Sequence, residues 1–175
     1  MNAPDLKSII TDCPDFPKPG IIFKDITPIL QKPLVCKEVV NYIKDQLSDL
    51  KIDAIAGIES RGFLFGMMLA QALEVPFIPI RKAGKLPGKT IAQSYALEYG
   101  TATIEIQEHA VQQGWNVLIH DDLLATGGTA MAAADLLLKM NTTIAAFSFV
   151  INLTFLNKTE ILKKYTDHIF SVVNY

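Results

Sequence analysis

Cysteine is scarce in this 175-residue chain. Cys13 and Cys36 are the only two, with no CxxC spacing between them. They form neither a disulfide framework nor a thiolate metal site, and both read as reduced thiols of a cytoplasmic protein. Histidine is nearly as rare. His109, His120 and His168 lie far apart in sequence and make no zinc constellation. Long apolar runs are missing too. The longest, Gly62 to Ala70, is too short to span a bilayer, so no membrane partner is expected. Pro4 and Asp5 interrupt the first residues where a secretory signal would need an apolar stretch. Neither sign of charge prevails: 16 basic residues stand against 18 acidic ones, a net charge of −2, with a pI near 5.9. That balance speaks against a nucleic-acid partner held by bulk electrostatics.

What is present is enough for a sizeable core, since half of the residues are hydrophobic. The length predicts one domain over 1–175. Residues 3–11 are expected to form a short helix. Cys13 to Gly20, with Pro14, Pro17 and Pro19, reads as an extended loop. Ile21 to Ile26 reads as a short strand. Val35, Val39, Val40, Ile43 and Leu47 recur at helical spacing and predict a helix over about 33–49. Ile52 to Ile58 suits a buried parallel strand, Gly62 to Leu73 a helix and Pro76 to Arg81 a strand. Alternation over Ile91–Glu98 and Thr101–Gln107, broken at Gly100, predicts an antiparallel excursion. Then follow strand Val117–Asp121, helix Gly128–Met140, strand Thr143–Ile151, helix Phe155–Tyr165 and strand Ile169–Val173. Such alternation implies an α/β fold, a doubly wound, mostly parallel sheet with helices on both faces.

The densest chemistry lies in Asn116-Val117-Leu118-Ile119-His120-Asp121-Asp122-Leu123-Leu124-Ala125-Thr126-Gly127-Gly128-Thr129. Asp121 and Asp122 are predicted at the exposed carboxyl end of a parallel strand, where open α/β sheets bind ligands. Ala125 to Thr129 carries no bulky side chain except two threonines. Its N–H groups can approach an anion closely at a helix start. Two acids beside an anion cradle would repel a bare phosphate. They suit a ligand with a phosphate at one end and a diol at the other, with a metal nearby, which is the shape of a ribose 5-phosphate.

This stretch resembles the phosphoribosyl pyrophosphate (PRPP) motif of type I phosphoribosyltransferases. Further segments are similar to the adenine phosphoribosyltransferases within that family. Glu59-Ser60-Arg61-Gly62-Phe63-Leu64-Phe65-Gly66 resembles their pyrophosphate loop, which implies a non-proline cis peptide near Glu59–Ser60. Arg81-Lys82-Ala83-Gly84-Lys85-Leu86-Pro87-Gly88 resembles their basic loop. It is no Walker A motif, because three residues separate its glycines and Pro87 removes an N–H. Ser94-Tyr95-Ala96-Leu97-Glu98-Tyr99-Gly100 is similar to their flexible catalytic loop, and Asp15 to Ile26 to their N-terminal hood, about 12–30 here.

The resemblance covers about residues 12–156. It implies conversion of adenine and PRPP to AMP and pyrophosphate, with Mg²⁺ held by substrate and at most reached through water by Asp121 and Asp122. Glu98, Tyr99 and Asp122 are then the expected catalytic groups. Asp121, Asp122, Ala125, Thr126, Gly127, Gly128 and Thr129 would bind PRPP or AMP. Glu59, Ser60, Arg61, Arg81, Lys82 and Lys85 would meet pyrophosphate, and Ile22, Phe23, Lys24 and Leu153 the adenine. A homodimer is implied, with the basic loop near the subunit boundary. Departures exist: Lys24 stands where arginine is usual, His120 where an aliphatic residue is, Asn152 where glutamate is, and Lys158-Thr159 where Gly-Arg is. Two rival readings stay open, a phosphoribosyltransferase for another purine base and a PRPP- or purine-sensing regulator on the same fold.

Overall fold

The computed structural model describes residues 3–96, 100–156 and 159–175. Seven strands form its main sheet, in the order β5-β6-β4-β3-β7-β8-β9. These are β3 (Ala54–Ile58), β4 (Phe77–Lys82), β5 (Thr90–Ala96), β6 (Thr101–Gln107), β7 (Asn116–Leu124), β8 (Thr143–Asn152) and β9 (Ile169–Asn174). β4, β3, β7, β8 and β9 run parallel, while β5 and β6 form the antiparallel excursion at one edge. Every residue of β3 is buried, as befits a strand covered on both faces.

Helices cover both faces. α2 (Pro33–Gln46) starts with proline in its first turn and buries Cys36, Val39, Val40 and Ile43, one apolar stripe at helical spacing. With α3 (Gly62–Leu73) and the short α1 (Thr27–Leu30) it closes one core around Phe65, Leu69 and Leu118. α4 (Gly128–Leu138) closes the other around Ile119, Ala133, Leu137 and Phe147. The doubly wound, mostly parallel architecture is thus the expected one. A separate two-stranded hairpin, β1 (Thr11–Pro14) with β2 (Ile22–Asp25), pairs Cys13 with Phe23 and forms the hood.

Three expectations need correction. Residues 3–11 hold a turn, not a helix: Ile9 and Ile10 N–H both reach Leu6 O, and the chain then extends into β1. Of the helix expected over Phe155–Tyr165, α5 spans Glu160–Lys163 among the described residues. Phe155 and Leu156 are exposed there instead of packed. Finally, β7 does not stop at Asp121. Its pairing with β8 continues through Leu123↔Ile151 to Leu124↔Asn152, so Asp122 is buried and not exposed.

Candidate active site

The site forms where β3 and β7, neighbours in the sheet, release the chain at their carboxyl ends. A cavity of about 480 Å³ opens there, lined by Glu59, Ser60, Arg61, Lys82, Lys85, Tyr95, Asp121, Asp122 and Thr129, among others. A smaller hollow of about 80 Å³ adjoins it, lined by Leu124 to Ala130 with Asp121, Leu123 and Phe149.

The floor is the carboxylate pair. Asp121 Oδ1 accepts the N–H of Asp122 at 2.9 Å. Burial, then the neighbouring Asp122 charge, raises the Asp121 carboxyl well above the ordinary carboxylate range. Asp122 is raised as well by burial, but Arg61 opposes the shift. Arg61 Nε stands 2.9 Å from Asp122 Oδ2. That oxygen nevertheless receives no hydrogen bond, although it is buried. The oxygen is held by charge alone, and Asp122 with Asp121 lines the cavity, where a carboxylate suits a sugar hydroxyl or a metal-bound water. No group of three or more acidic, histidine or cysteine side chains among the described residues could hold a metal ion. The oxygens of Asp121 and Asp122 at the cavity are of the hard kind that suits a Mg²⁺ reached through water.

The phosphate cradle follows directly. Gly127 adopts φ +84°, a left-handed conformation that favours glycine, and caps the start of α4. The turn lines the smaller hollow, and the 11-residue helix behind it adds its positive end. Thr129 Oγ1 donates to the Tyr95 hydroxyl at 3.2 Å, which links the cradle to the excursion.

Opposite lies the β3–α3 turn. Glu59–Ser60 is a cis peptide, as the sequence resemblance implied. Gly62 lets α3 begin against β7, since a Cβ there would lie 2.8 Å from His120 O and 2.9 Å from Asp121 Oδ1. Glu59 is an organiser of cations. Its carboxylate takes Arg81 Nε and Nη2 at 3.3 Å each, Lys85 Nζ at 2.9 Å and the Lys82 N–H at 2.9 Å. Burial alone would raise its pKa, but Lys85, the Lys82 N–H and Arg81 outweigh that and hold it at about 2. A second acid, Glu105, is buried in β6 and shapes the basic loop. It accepts the N–H groups of Lys85 and Leu86 at 3.1 Å and the Thr90 hydroxyl at 3.2 Å. Sequence reasoning missed Glu105. Its signal was an acid between Ile104 and Ile106, the buried stretch of the strand.

The hood closes one side. The Arg61 guanidinium lies 4.5 Å from the Phe23 ring centroid, and Phe16 meets that ring edge-on at 5.1 Å. Ile22 is exposed beside it. The Lys24 ammonium turns away to Asp12 at 2.6 Å and to the face of Tyr175, leaving its carbonyl to meet Arg61 Nη1 at 3.5 Å. Leu153 is buried in the core with Leu6, Ile10 and Ile26. Glu98 and Tyr99 lie outside the described residues. His120 is fully buried behind the acids, with Nδ1 2.8 Å from Ser148 Oγ. It is a core histidine, paired through Nδ1 alone, with Nε2 buried and without a hydrogen-bond partner. Asn152 donates from Nδ2 to Asn174 Oδ1 at 3.0 Å, between β8 and β9.

An acid pair, a glycine-threonine phosphate turn and a cation-lined turn across one cavity define a class that handles phosphorylated ribose. The phosphoribosyl transferase domain family matches residues 25–171, and the chain belongs to that family. It is 54% identical over 170 residues to the adenine phosphoribosyltransferase of Cytophaga hutchinsonii, covering 97% of this chain and 94% of that one. It is 48% identical to that of Methanococcus vannielii, covering 98% of each. The fold matches the crystal structure of adenine phosphoribosyltransferase from Thermoanaerobacter pseudethanolicus with a TM-score of 0.94, at 44% identity and 98% coverage of both chains. It also matches the Saccharomyces cerevisiae enzyme complexed with an imino-altritol bisphosphate and adenine, with a TM-score of 0.88 at 40% identity, covering 97% of each chain. The architecture is therefore the type I phosphoribosyltransferase fold.

Proposed function

We infer that this chain is a purine-salvage transferase that moves the phosphoribosyl group of PRPP onto adenine, giving AMP and pyrophosphate. The observation that carries the reading is the placement of Asp121 and Asp122 at a cavity of about 480 Å³, with the cation-lined turn in its wall and the phosphate turn in the adjoining hollow of about 80 Å³. That order matches PRPP from its 5′-phosphate through its ribose diol to its pyrophosphate. The residues now have roles. Ala125 to Thr129 seat the 5′-phosphate, Asp121 and Asp122 accept the ribose hydroxyls, and Arg61, Lys82, Lys85 and Arg81 meet the pyrophosphate. Glu59 holds two of those cations and a backbone N–H in place instead of touching the anion itself.

The C1′–O bond to pyrophosphate breaks while the purine N9–C1′ bond forms, and the purine gives up its N9 proton. Glu98 takes the role of acid/base near the purine, and Tyr99 covers the reacting centre from water. Mg²⁺, when bound, neutralises the departing pyrophosphate. Phe23 and Ile22 offer the apolar wall on which a flat base packs, with Leu153 opposite. The sequence reads as one cytoplasmic domain. No helix among the described residues is long and apolar enough to cross a membrane. Leu64, Met67 and Met68 are exposed at helical spacing along α3 and support a homodimer, with the Arg81–Lys89 loop near the boundary. A strictly monomeric active species in light scattering would refute the dimer.

The test is stoichiometric. With PRPP, Mg²⁺ and adenine, each adenine consumed should yield one AMP and one pyrophosphate, with no release of pyrophosphate when adenine is left out. Steady pyrophosphate release without base, or a base left intact, would overturn the reading.

A further inference from the structure

Tyr175 lies one residue beyond β9 and takes part in none of the roles above. Its backbone straddles Leu153. The Tyr175 N–H donates to Asn152 O at 2.9 Å, and Tyr175 O accepts the Thr154 N–H at 2.9 Å and the Thr154 hydroxyl at 2.5 Å. Its ring faces the other way, toward the hood. Lys24 Nζ stands over it at 3.9 Å from the centroid and Lys7 Nζ at 5.1 Å. Both ammonium groups meet the negative face of an aromatic ring, and the Lys24 side chain is largely shielded from solvent, which strengthens such a contact. Asp12 on β1 completes the seat by pairing with Lys24 at 2.6 Å.

The consequence follows from strand geometry. Side chains alternate along β2, so pinning Lys24 on one face of the hairpin fixes the orientation of Phe23 on the other. Phe23 carries the Arg61 guanidinium on its ring, and the Lys24 carbonyl meets the same guanidinium. The other anchor, Thr154, adjoins Leu153. One residue thus ties together the two segments that form the walls of the base site, and the hood hairpin has no place in the main sheet to fix it otherwise.

We propose that Tyr175 is a positioning residue for the purine, fixing Phe23 of the hood relative to the segment after β8 by holding Lys24 on its ring and Thr154 on its backbone. It rests on the assignment of the base to Phe23 and Leu153. Tyr175 reaches Arg61 only at second hand, through Lys24 of the hood, so its loss acts on base binding more than on PRPP binding.

The test compares Tyr175→Leu, which keeps apolar volume but has no ring, with Tyr175→Phe, which keeps the ring, and with Tyr175→Ala. Melting temperatures and KM for adenine and for PRPP are measured on each full chain. Tyr175→Leu should raise KM for adenine about tenfold with KM for PRPP changed less than about twofold, and Tyr175→Phe should restore the native value. Equal rises in both KM values, an unchanged KM for adenine in Tyr175→Leu, or a Tyr175→Phe variant as impaired as the leucine one would overturn the proposal. Native turnover of adenine separates the two claims. Without it the site assignment fails and this proposal with it; with it, an unchanged KM for adenine overturns the role of Tyr175 alone. Should Tyr175→Ala not fold, the leucine and phenylalanine variants decide the matter.

Discussion

Arg61 Nε lies 2.9 Å from Asp122 Oδ2, and this ion pair joins the two halves of the site. Arg61 is the residue from which α3 starts, and Asp122 belongs to β7, the neighbour of β3 in the sheet. The pair forms because β3 and β7 are parallel and in register, Gly57 opposite His120, so the turn after Ile58 leaves β3 beside Asp121 and Asp122 while β7 runs on. A cation from the β3–α3 turn therefore tempers the charge of a carboxylate on β7, and the same guanidinium stacks on Phe23 of the hood.

The carboxylates of Asp121 and Asp122 are ionised only at a cost in stability. A carboxyl whose folded pKa is raised destabilises the folded protein wherever it is ionised, and the protein gains stability as the pH falls through that raised value. Asp121→Asn should therefore melt at or above the native temperature at neutral pH. Asp121→Asn/Asp122→Asn should lose PRPP turnover by about 10²-fold or more, since sugar positioning is lost. Calorimetry and a turnover assay check both, and near-native activity in the double variant would remove the acids from the site.

Glu59 behaves in the opposite sense. Its folded pKa of about 2 lies below the ordinary 4.5, so its contribution is fully present above pH 4.5 and is lost as the pH falls from there to about 2. Glu59→Gln should cost about 1–2 kcal/mol at neutral pH, the pairs being discounted because Lys85 is half-exposed. The loss should vanish near pH 2, which urea titrations across that range will show. A variant equally destabilised at both ends would mean that Glu59 acts by packing and not by charge.

His120 adds a second acid-sensitive element. Burial lowers its pKa from 6.5 to about 3, so the unfolded chain binds the proton more readily. Stability is present above pH 6.5 and declines as the pH falls toward 3. His120→Val/Ser148→Ala removes the titrating ring and the hydroxyl that would be left unpaired. The double variant should lose stability less steeply than the native chain between those pH values. An unchanged slope would show that the ring does not titrate on unfolding.

Asn152 pairs with Asn174 across β8 and β9, and Ser171 donates to the same Asn174 oxygen. The amide is thus engaged within the sheet. Asn152→Glu replaces the donor by an acceptor and should cost about 1 kcal/mol of stability, while the ratio of adenine to hypoxanthine turnover stays the same. A ratio that shifts severalfold would place this residue at the base.

Much of this was legible in the residues. The acids, the glycine turn and the helix behind them stand consecutively in the chain, so one stretch encodes the carboxylate pair, the left-handed Gly127 and the start of α4. α3 ends where expected because Glu74 adopts a left-handed conformation just past Leu73. What was not legible depended on distant partners. Glu59 was expected to meet pyrophosphate, and nothing local announces that Arg81 and Lys85 fold back onto it. Lys24 was expected near the base, yet its ammonium goes to Asp12 and Tyr175, both remote in sequence. The helix expected over Phe155–Tyr165 shortened because Phe155 and Leu156 find no core to pack against. Residues 3–11 carry too little periodicity to reveal that they pack Leu6 and Ile10 beneath the hood.

The central claim is that the site binds phosphorylated ribose and selects adenine. The most direct measurement is kcat/KM for adenine, hypoxanthine and guanine with the native chain at saturating PRPP and Mg²⁺. The account predicts a preference for adenine of at least about tenfold over either competitor, roughly 1.4 kcal/mol in transition-state stabilisation. Comparable values for hypoxanthine or guanine would contradict it.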